Sequence, residues 1–281
     1  MNPSDQSRGL VLTPEEFGMV CRLAYDTCGL DLKPGKEELV ASRLGKQIRR
    51  LGFGSFREYF RCLKEQPNGP VMAAAIDALT THHTSFLREA AHFDFLNTTV
   101  FPEAARNGRI AVWCAASSTG EEPYTLLMSA DAALGPAARQ IQLLASDVSE
   151  PALESARRGV YSADRLDSLP KEWLPRYFLR GNGRFSGSYR IKPKLAQQVE
   201  FRRVNLIEPF PSMGPFAVVL CRNVMIYFDR PTQERLIEKI FRVLAPGGYL
   251  LVGHAESLTG VKHGLAYVRP SIYRKAGPTC R

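Results

Sequence analysis

The chain has 281 residues, with 37 lysine and arginine residues against 28 aspartate and glutamate residues and a formal net charge of +9. A hydrophobic content of 44% and a charged content of 23% are typical of a globular protein and argue against a largely disordered chain. No run of about 18 apolar residues occurs, and the polar start from Met1 to Leu12 lacks the apolar core of a signal peptide. Six cysteines without a CxxC pair indicate buried thiols in a reducing compartment, so we expect a cytoplasmic protein.

The first predicted elements are helices. Thr13, Pro14 and Glu16 form a helix start, with a capping hydroxyl, a proline at the first helical position and a glutamate three residues after the cap. Apolar residues then recur at helical spacing, which predicts four helices over residues 14–28, after Gly35, over 55–63 and over 71–79. The apolar stripe of the second helix consists of Val40, Leu44, Ile48 and Leu51.

Two segments of the chain are strongly basic. Seven basic residues stand against one acidic residue from Arg43 to Lys64, a net charge of +6, and eight stand against one from Arg176 to Arg203, a net charge of +7. Such surfaces suit a partner that is acidic in two places. An ordinary solvated face is the alternative for either segment.

From Arg109 onward, short apolar runs alternate with helical segments. The predicted strands are Ile110–Ala115, Ile141–Ala145, Phe216–Cys221 and Tyr249–Gly253. This alternation is typical of an α/β fold with a doubly wound, mainly parallel sheet that helices cover on both faces. Residues 184–202 interrupt the rhythm, and their alternation at Tyr189, Ile191, Val199 and Phe201 predicts a small inserted β element.

Three of these strands end in polar residues, at the edge where open α/β sheets bind ligands. The turn Ser117–Gly120 lets a ligand approach the backbone, but it lacks a full GxGxxG pattern and also fits an ordinary strand-to-helix turn. Asp147 stands where a carboxylate accepts the ribose hydroxyls of a nucleoside, with a helix N-cap as the alternative. The pair Arg222 and Asn223 needs buried partners, which a ligand, a carboxylate or a structural hydrogen-bond network would supply.

Five motifs in a fixed order narrow the function further. They are TTHHTSFLRE at 80–89, AASSTGEEPY at 115–124, Asn205-Leu206, CRNVMIYFD at 221–229 and PGGYLLVGHAESL at 246–258. Together they resemble the motifs of the chemotaxis-receptor methyltransferases, the CheR family. The resemblance covers roughly residues 12–275, and its last two motifs are far more specific than a generic nucleotide-binding turn.

The resemblance implies an S-adenosylmethionine-dependent enzyme that forms methyl esters on glutamate side chains of chemoreceptors and releases S-adenosylhomocysteine. It implies a helical domain over residues 12–90 and a class I methyltransferase-like domain over 91–281, with an antiparallel β subdomain inserted at about 176–203. The implied partners are the cytoplasmic helical domain of chemoreceptors and, through the longer form of the inserted loop at 180–190, a short tether peptide at the receptor C-terminus. Neither nucleic-acid binding nor membrane insertion is expected.

Carried over position by position, the resemblance also implies the site residues. The cofactor contacts would be His82, Thr84, Arg88, Glu121, Asp147, Asn205, Leu206, Arg222 and Asn223, and the residues near the transferred methyl group would be Arg88 and Tyr227. The sequence departs from the family at two positions. The family usually has Asn at the position of His82, which would alter that hydrogen bond, and Cys at the position of Ser117, a small-for-small exchange.

The residue inventory agrees with this chemistry. A glutamate carboxylate has a pKa of about 4.3 and is already an anionic nucleophile at neutral pH, so the reaction needs no general base. An acidic substrate would also give the basic second helix a role, and we expect Arg43, Lys46, Arg49 and Arg50 to dock it.

Two other functions remain open at this stage. A nucleic-acid methyltransferase would share the fold and would explain the charge of +9, but the sequence has no Asn/Asp-Pro-Pro-Tyr/Phe tetrapeptide and no basic face interleaved with aromatic residues. A non-catalytic adaptor would have lost strand-end residues, whereas Asp147, Arg222 and Asn223 are present and only His82 departs. No HExxH, GxSxG or cysteine–histidine ligand spacing occurs, so we expect no metal site.

Overall fold

The computed structural model describes residues 11–67, 69–106 and 108–277. The chain divides into two compact units, Met1–Thr81 and His82–Arg281. The border predicted from the sequence lies between 90 and 91, whereas in the structure residues 82–90 belong to the second unit, because Phe86 is buried in the core of that unit. The polar start up to residue 10 and the last cysteine, Cys280, lie outside the described residues.

The first unit is helical over its described residues. Its helices are α1 (Pro14–Cys28), α2 (Glu37–Arg50), α3 (Phe56–Glu65) and α4 (Pro70–Leu79). The predicted capping box is present: the Glu16 backbone N–H donates to Thr13 Oγ1 at 3.2 Å, and the Thr13 N–H donates to the Glu16 carboxylate at 2.9 Å. The predicted stripe on α2 is buried except for Leu51, which follows the last turn of the helix and is 41% exposed.

The strands of the second unit form two sheets. They are β1 (Ile110–Cys114), β2 (Ile141–Asp147), β3 (Val160–Ser162), β4 (Phe178–Arg180), β5 (Ser188–Ile191), β6 (Val199–Arg203), β7 (Phe216–Cys221), β8 (Leu244–Val252), β9 (Leu265–Arg269) and β10 (Ile272–Lys275). The large sheet has the order β6-β2-β1-β7-β8-β10-β9 and is parallel from β6 to β8, which confirms the predicted class. The antiparallel hairpin β9–β10 was not predicted.

Helices cover both faces of the large sheet. They are α5 (Ala91–Phe95), α6 (Phe101–Ala105), α7 (Glu121–Leu134), α8 (Glu150–Arg158), α9 (Trp173–Tyr177), α10 (Pro193–Ala196) and α11 (Arg230–Val243), and a π-helical turn joins α5 to α6. Successive strand residues point to opposite faces. Accordingly Val112 and Cys114 of β1 pack in one apolar cluster with α7, whereas Trp113 packs in a second cluster with α11. No helix of the described part of the chain is long and apolar enough to cross a membrane.

The small sheet differs in extent from the predicted inserted element. It is antiparallel, as expected, with the order β3-β5-β4, and it recruits residues 160–162 from before the predicted segment. Val199 and Phe201 were assigned to this element, but β6 pairs in parallel with β2 and is the edge strand of the large sheet. The alternation of these two residues is that of a half-buried edge strand, and alternation alone does not say which sheet a strand joins.

Candidate active site

The candidate residues of the second unit gather at the carboxyl edge of the large sheet. Strands β2 and β6 lie on one side of β1, and β7 and β8 lie on the other, so the order of strand addition reverses between β1 and β7. Ligands of open α/β sheets bind at such a switch point. The turn 117–120 follows β1, Asp147 ends β2, Asn205 and Leu206 follow β6, and Arg222 and Asn223 follow β7.

Asp147 is buried and faces the turn after β1. Its two carboxylate oxygens accept backbone N–H groups, from Ser118 at 2.8 Å and from Ser149 at 3.0 Å. The helix N-cap alternative does not hold, because Ser149 caps α8 by accepting the N–H of Ala152. Burial raises the pKa of Asp147, while the hydrogen bonds from Ser149 and Ser118 and the charge of His82 act against that rise.

The segment 82–89 runs over this edge of the sheet. Near its start, Ser118 Oγ donates to the carbonyl oxygen of His82 at 3.3 Å, and near its end, the Arg222 guanidinium donates to the carbonyl oxygen of Arg88 at 2.5 Å. The segment therefore spans from the β1–β2 side of the switch point to the β7 side, and it brings His82 and Arg88 to one edge.

The backbone is strained along this edge. Among the described residues, five non-glycine residues have positive φ, and four of them lie here: Leu87 at 55°, Glu89 at 56°, Ser118 at 47° and Asn223 at 59°. Such conformations cost roughly 1–3 kcal/mol each and persist where surrounding contacts enforce them, which is a common property of ligand sites.

A buried ion cluster lies at the end of β7. The Arg222 side chain is 1% exposed; one guanidinium nitrogen contacts Glu122 at 2.7 Å and another contacts Glu89 at 2.9 Å. Its remaining donors face Glu89 and the Arg88 carbonyl oxygen. These contacts engage all three guanidinium nitrogens of Arg222, so most of its donors are directed at the protein and not at a ligand.

The charges of this cluster shift one another's protonation. Burial acts to raise the pKa of Glu89, but the hydrogen bond from His254 N–H and the charge of Arg222 outweigh it and lower the pKa to about 2. Burial raises the pKa of Glu122 in spite of Arg222. Asn223 joins the same cluster, because its side-chain amide donates to Glu89 at 3.2 Å.

Arg165, which was not predicted as a site residue, contacts both Glu121 and the backbone of Thr84. The fully buried Glu121 forms an ion pair with Arg165 and accepts a hydrogen bond from Thr119 Oγ1 at 2.7 Å. Arg165 also donates to the carbonyl oxygen of Thr84 at 3.3 Å. Burial raises the pKa of Glu121, and Thr119 and Arg165 act in the opposite direction.

The remaining predicted residues of the second unit lie at the ends of the same strands. Asn205 donates to Glu208 at 2.8 Å, and Leu206 is buried. Tyr227 is half-buried on the 3₁₀ turn that follows Asn223. Arg88 is also half-buried, and its guanidinium donates to the carbonyl oxygen of His83 at 2.9 Å.

The four predicted docking residues on α2 do not behave alike. Lys46, Arg49 and Arg50 are exposed, but Arg43 is half-buried. The Arg43 guanidinium donates to the carbonyl oxygens of Leu79 and Thr80, at 2.9 and 3.3 Å. Arg43 therefore caps the C-terminal end of α4, where a positive charge is favourable. A docking residue would instead point its side chain into solvent.

The sequence analysis did not predict Glu89 and Glu122 as partners of Arg222, although both lie inside the quoted motifs. The signal was present in the expectation that a buried Arg222 needs a carboxylate partner, but the sequence does not say which one. Only the tertiary fold brings Glu89 from the segment before α5 and Glu122 from the start of α7 to the same guanidinium.

Three potential metal ligands lie together in this region, at Glu89, His92 and His254. Glu89 already carries Arg222 at 2.9 Å. A divalent cation on Glu89 would therefore lie beside a buried guanidinium, and like charges in a low-dielectric interior repel strongly.

The donor set fits the cofactor that the family resemblance implies. With the cofactor bound at this edge, the carboxylate of Asp147 would be placed to accept its ribose hydroxyls. In the turn after β1, Ser117 Oγ is buried and has no hydrogen-bond partner among the described residues, so it is available to a ligand.

Comparison with known proteins agrees with this fold and site. Residues 82–273 match the family of the CheR methyltransferase SAM-binding domain, and residues 15–80 match the all-alpha domain of the CheR methyltransferases. Chemotaxis protein methyltransferase 2 of Pseudomonas aeruginosa is 39% identical over 265 residues, covering 94% of both chains. The chemotaxis protein methyltransferase of Salmonella typhimurium is 38% identical over 265 residues, which is 94% of this chain and 91% of the relative.

The fold and site define an S-adenosylmethionine-dependent methyltransferase with a helical N-terminal unit. The chain belongs to the CheR methyltransferase family. These findings confirm the predicted family, fold class, enzyme class and cofactor, whereas the roles of individual site residues stay predictions.

His92 makes stability depend on pH in a defined window. Its side chain is buried, and burial together with the charge of Arg222 lowers its pKa to about 4. An unfolded histidine has a pKa of about 6.5, so between roughly pH 6.5 and 4 the unfolded chain binds the extra proton. We expect the unfolding midpoint of the wild-type protein to fall as the pH is lowered through this window, and His92→Phe to reduce that dependence. Thermal melts of the wild type, His92→Phe and the control His83→Phe, which changes an exposed histidine, measure the unfolding midpoint along a pH series. If the midpoint depends on pH equally in all three proteins, His92 is not the group responsible.

Proposed function

We propose that this protein transfers methyl groups from S-adenosylmethionine to glutamate side chains of chemoreceptors in the cytoplasm, forming glutamate methyl esters. The observation that carries the proposal is the convergence of the candidate cofactor residues Asp147 and Asn223 with Arg88 and Tyr227 at one edge of the sheet. The relatives are chemotaxis protein methyltransferases over nearly their whole length, which supports the same reaction here.

The residues of the site suit a reaction that needs orientation more than proton transfer. S-adenosylmethionine supplies a methyl group on a positively charged sulfur. Asp147 would hold its ribose, and Asn223 and Asn205 would contact the rest of the cofactor. Arg88 and Tyr227 carry the donors that would hold the acceptor carboxylate, which is already ionised at neutral pH. Correct orientation of two reactants contributes on the order of 7–11 kcal/mol to lowering a barrier.

The exposed bases of α2 would dock the acidic receptor. Lys46, Arg49 and Arg50 form a basic surface on the first unit, and nothing on α2 between Leu39 and Arg50 carries negative charge. Such a surface attracts acidic helices without strict sequence requirements, and salt weakens the attraction.

The small sheet would bind the receptor tether peptide. Strand β4 is an edge of this sheet, and apolar Leu179 and Phe185 in and beside it are 49% and 56% exposed. An edge strand with exposed apolar side chains suits addition of a peptide as a further strand.

Methyl-labelled cofactor tests the proposed reaction directly. Incubation with receptor-containing membranes is expected to give base-labile label on the receptor that is released as methanol, because carboxyl methyl esters hydrolyse in base. Base-stable label in added nucleic acid would point instead to the nucleic-acid methyltransferase, and no transfer to any acceptor would point to the adaptor.

Arg88 and Tyr227 are expected to affect turnover. Hydrogen bonds to charged groups contribute about 1.5–3 kcal/mol, so Tyr227→Phe should lower kcat roughly tenfold or more. Arg88→Ala should lower kcat on the order of 10²-fold, as the loss of a charge-stabilising donor does in other active sites. Tyr267→Phe is the control for Tyr227→Phe and Arg106→Ala is the control for Arg88→Ala, because Tyr267 and Arg106 are both exposed. Full turnover in either site variant would remove that residue from the reaction.

Arg49 and Arg50 are expected to affect receptor binding instead. Charge reversal of both to Glu should raise the KM for receptor roughly tenfold, leave kcat nearly unchanged and lose its effect at high salt. The variant with Arg106→Glu and Arg158→Glu has the same net charge and reverses exposed bases elsewhere. If a short glutamyl peptide and the intact receptor lose activity equally, or if the control behaves like the variant, α2 is not a docking surface.

A further inference from the structure

Glu256 is a buried carboxylate in the loop after β8, at the same edge of the sheet as the candidate site. Its side chain reaches four backbone N–H groups. One carboxylate oxygen accepts from Gly253 at 2.6 Å and from Asn223 at 2.7 Å, and the other accepts from Met225 at 2.7 Å and from Ile226 at 3.3 Å. Hydrogen bonds to an ionised acceptor are stronger than those between neutral groups.

These bonds tie together the ends of two neighbouring strands. Gly253 directly follows β8, and residues 223–226 follow β7, which pairs in parallel with β8. The loop after β7 carries Asn223 at its start and Tyr227 at its end. One carboxylate therefore fixes the stretch of backbone that presents a candidate cofactor residue and a candidate acceptor residue.

The loop needs such a fixed anchor. Asn223 has a φ of 59°, a conformation that the side chain of Asn tolerates but that the backbone does not favour without external contacts. Glu256 receives the N–H of this residue and two more from the 3₁₀ turn that follows, where backbone donors lack partners inside the turn.

Gly253 shows independently that Glu256 and Asn223 pack closely against the end of β8. A Cβ at this position would lie 2.4 Å from Asn223 Nδ2 and 2.8 Å from Glu256 Oε2. The β8 end, the Glu256 carboxylate and the Asn223 amide are thus packed so tightly that only a glycine leaves room for all three.

We propose that Glu256 is a positioning residue for methyl transfer: through the loop 223–227 it places Asn223 and Tyr227 for the cofactor and the acceptor at the same time. The inference rests on the proposed function. A carboxylate is required because it offers two acceptor oxygens to four donors. Glutamine offers one oxygen and turns an amide donor toward backbone N–H groups, and aspartate is one methylene too short.

The variants Glu256→Gln and Gly253→Ala of the full chain test this role. A displacement of about 1 Å at a reacting group costs on the order of 10²-fold in rate, so we expect kcat to fall by about that factor in both variants. Both variants should still unfold in one cooperative transition, at a lower midpoint because buried N–H groups lose an acceptor or the loop shifts. They should bind S-adenosylhomocysteine more weakly in calorimetry because Asn223 is displaced, so kcat is compared at saturating S-adenosylmethionine. Glu58→Gln is the control for loss of a carboxylate remote from the site, because the exposed Glu58 accepts the backbone N–H of Gly54 at 2.8 Å and lies in the first unit.

A double-variant cycle separates positioning from a merely structural role. If Glu256 acts through Tyr227, then Tyr227→Phe should lower kcat much less in the Glu256→Gln background than in the wild type. Unchanged kcat in a folded Glu256→Gln variant, or independent effects of the two substitutions on kcat, would overturn the inference. Failure of the wild-type protein to methylate receptor at all would instead overturn the proposed function.

Discussion

The arrangement of the site depends on the buried guanidinium of Arg222. It joins three separate parts of the chain: the end of β7, the start of α7 through Glu122, and the segment 82–89 through Glu89 and the Arg88 carbonyl oxygen. A buried ion pair adds little net stability, because removing the charges from water costs about as much as their attraction returns. Loss of one partner is costly, however, since it leaves an uncompensated charge. The cluster therefore selects one arrangement of the site more than it stabilises the fold.

Glu89 extends this constraint to the neighbouring strand. One of its oxygens is occupied by Arg222, and the other accepts the Asn223 amide at 3.2 Å and the His254 N–H at 3.1 Å. Together with Glu256, which bonds the backbone of the same loop, it leaves the ends of β7 and β8 little freedom. The positive φ angles of Glu89 and Asn223 belong to this network, because both residues adopt a disfavoured backbone conformation at the point where these contacts hold them.

The sequence predicted those features that local pattern determines. Alternating apolar runs and helices predicted the parallel sheet, and position at a strand end predicted that Asp147 faces the switch point. The hairpin β9–β10 was not predicted because β9 is largely exposed, as at Tyr267 and Val268, and its sequence shows no apolar periodicity. The partners of Arg222 and the capping role of Arg43 were not predicted because the contacting residues are far apart in the sequence. Arg43 and Leu79, for example, are separated by 36 positions. The prediction that Val199 and Phe201 belong to the inserted β element was wrong for the same reason, because β6 pairs with the distant strand β2.

The structure also changes the meaning of the two basic segments. In the second segment much of the charge is used within the protein: Arg176 pairs with Asp131, Arg202 pairs with Glu200, and Lys192 and Arg203 donate to backbone carbonyl oxygens. Of these contacts only the pair with Asp131 adds a negative charge from outside the segment, because Glu200 is already counted in the net charge of +7 and a backbone carbonyl oxygen cancels no charge. On α2 only Arg43 is used in this way, and the other three bases are exposed on one short helix. In the proposed function, the exposed bases of α2 would supply the electrostatic docking of an acidic helix, and recognition by the small sheet would depend on its edge strand and exposed apolar side chains.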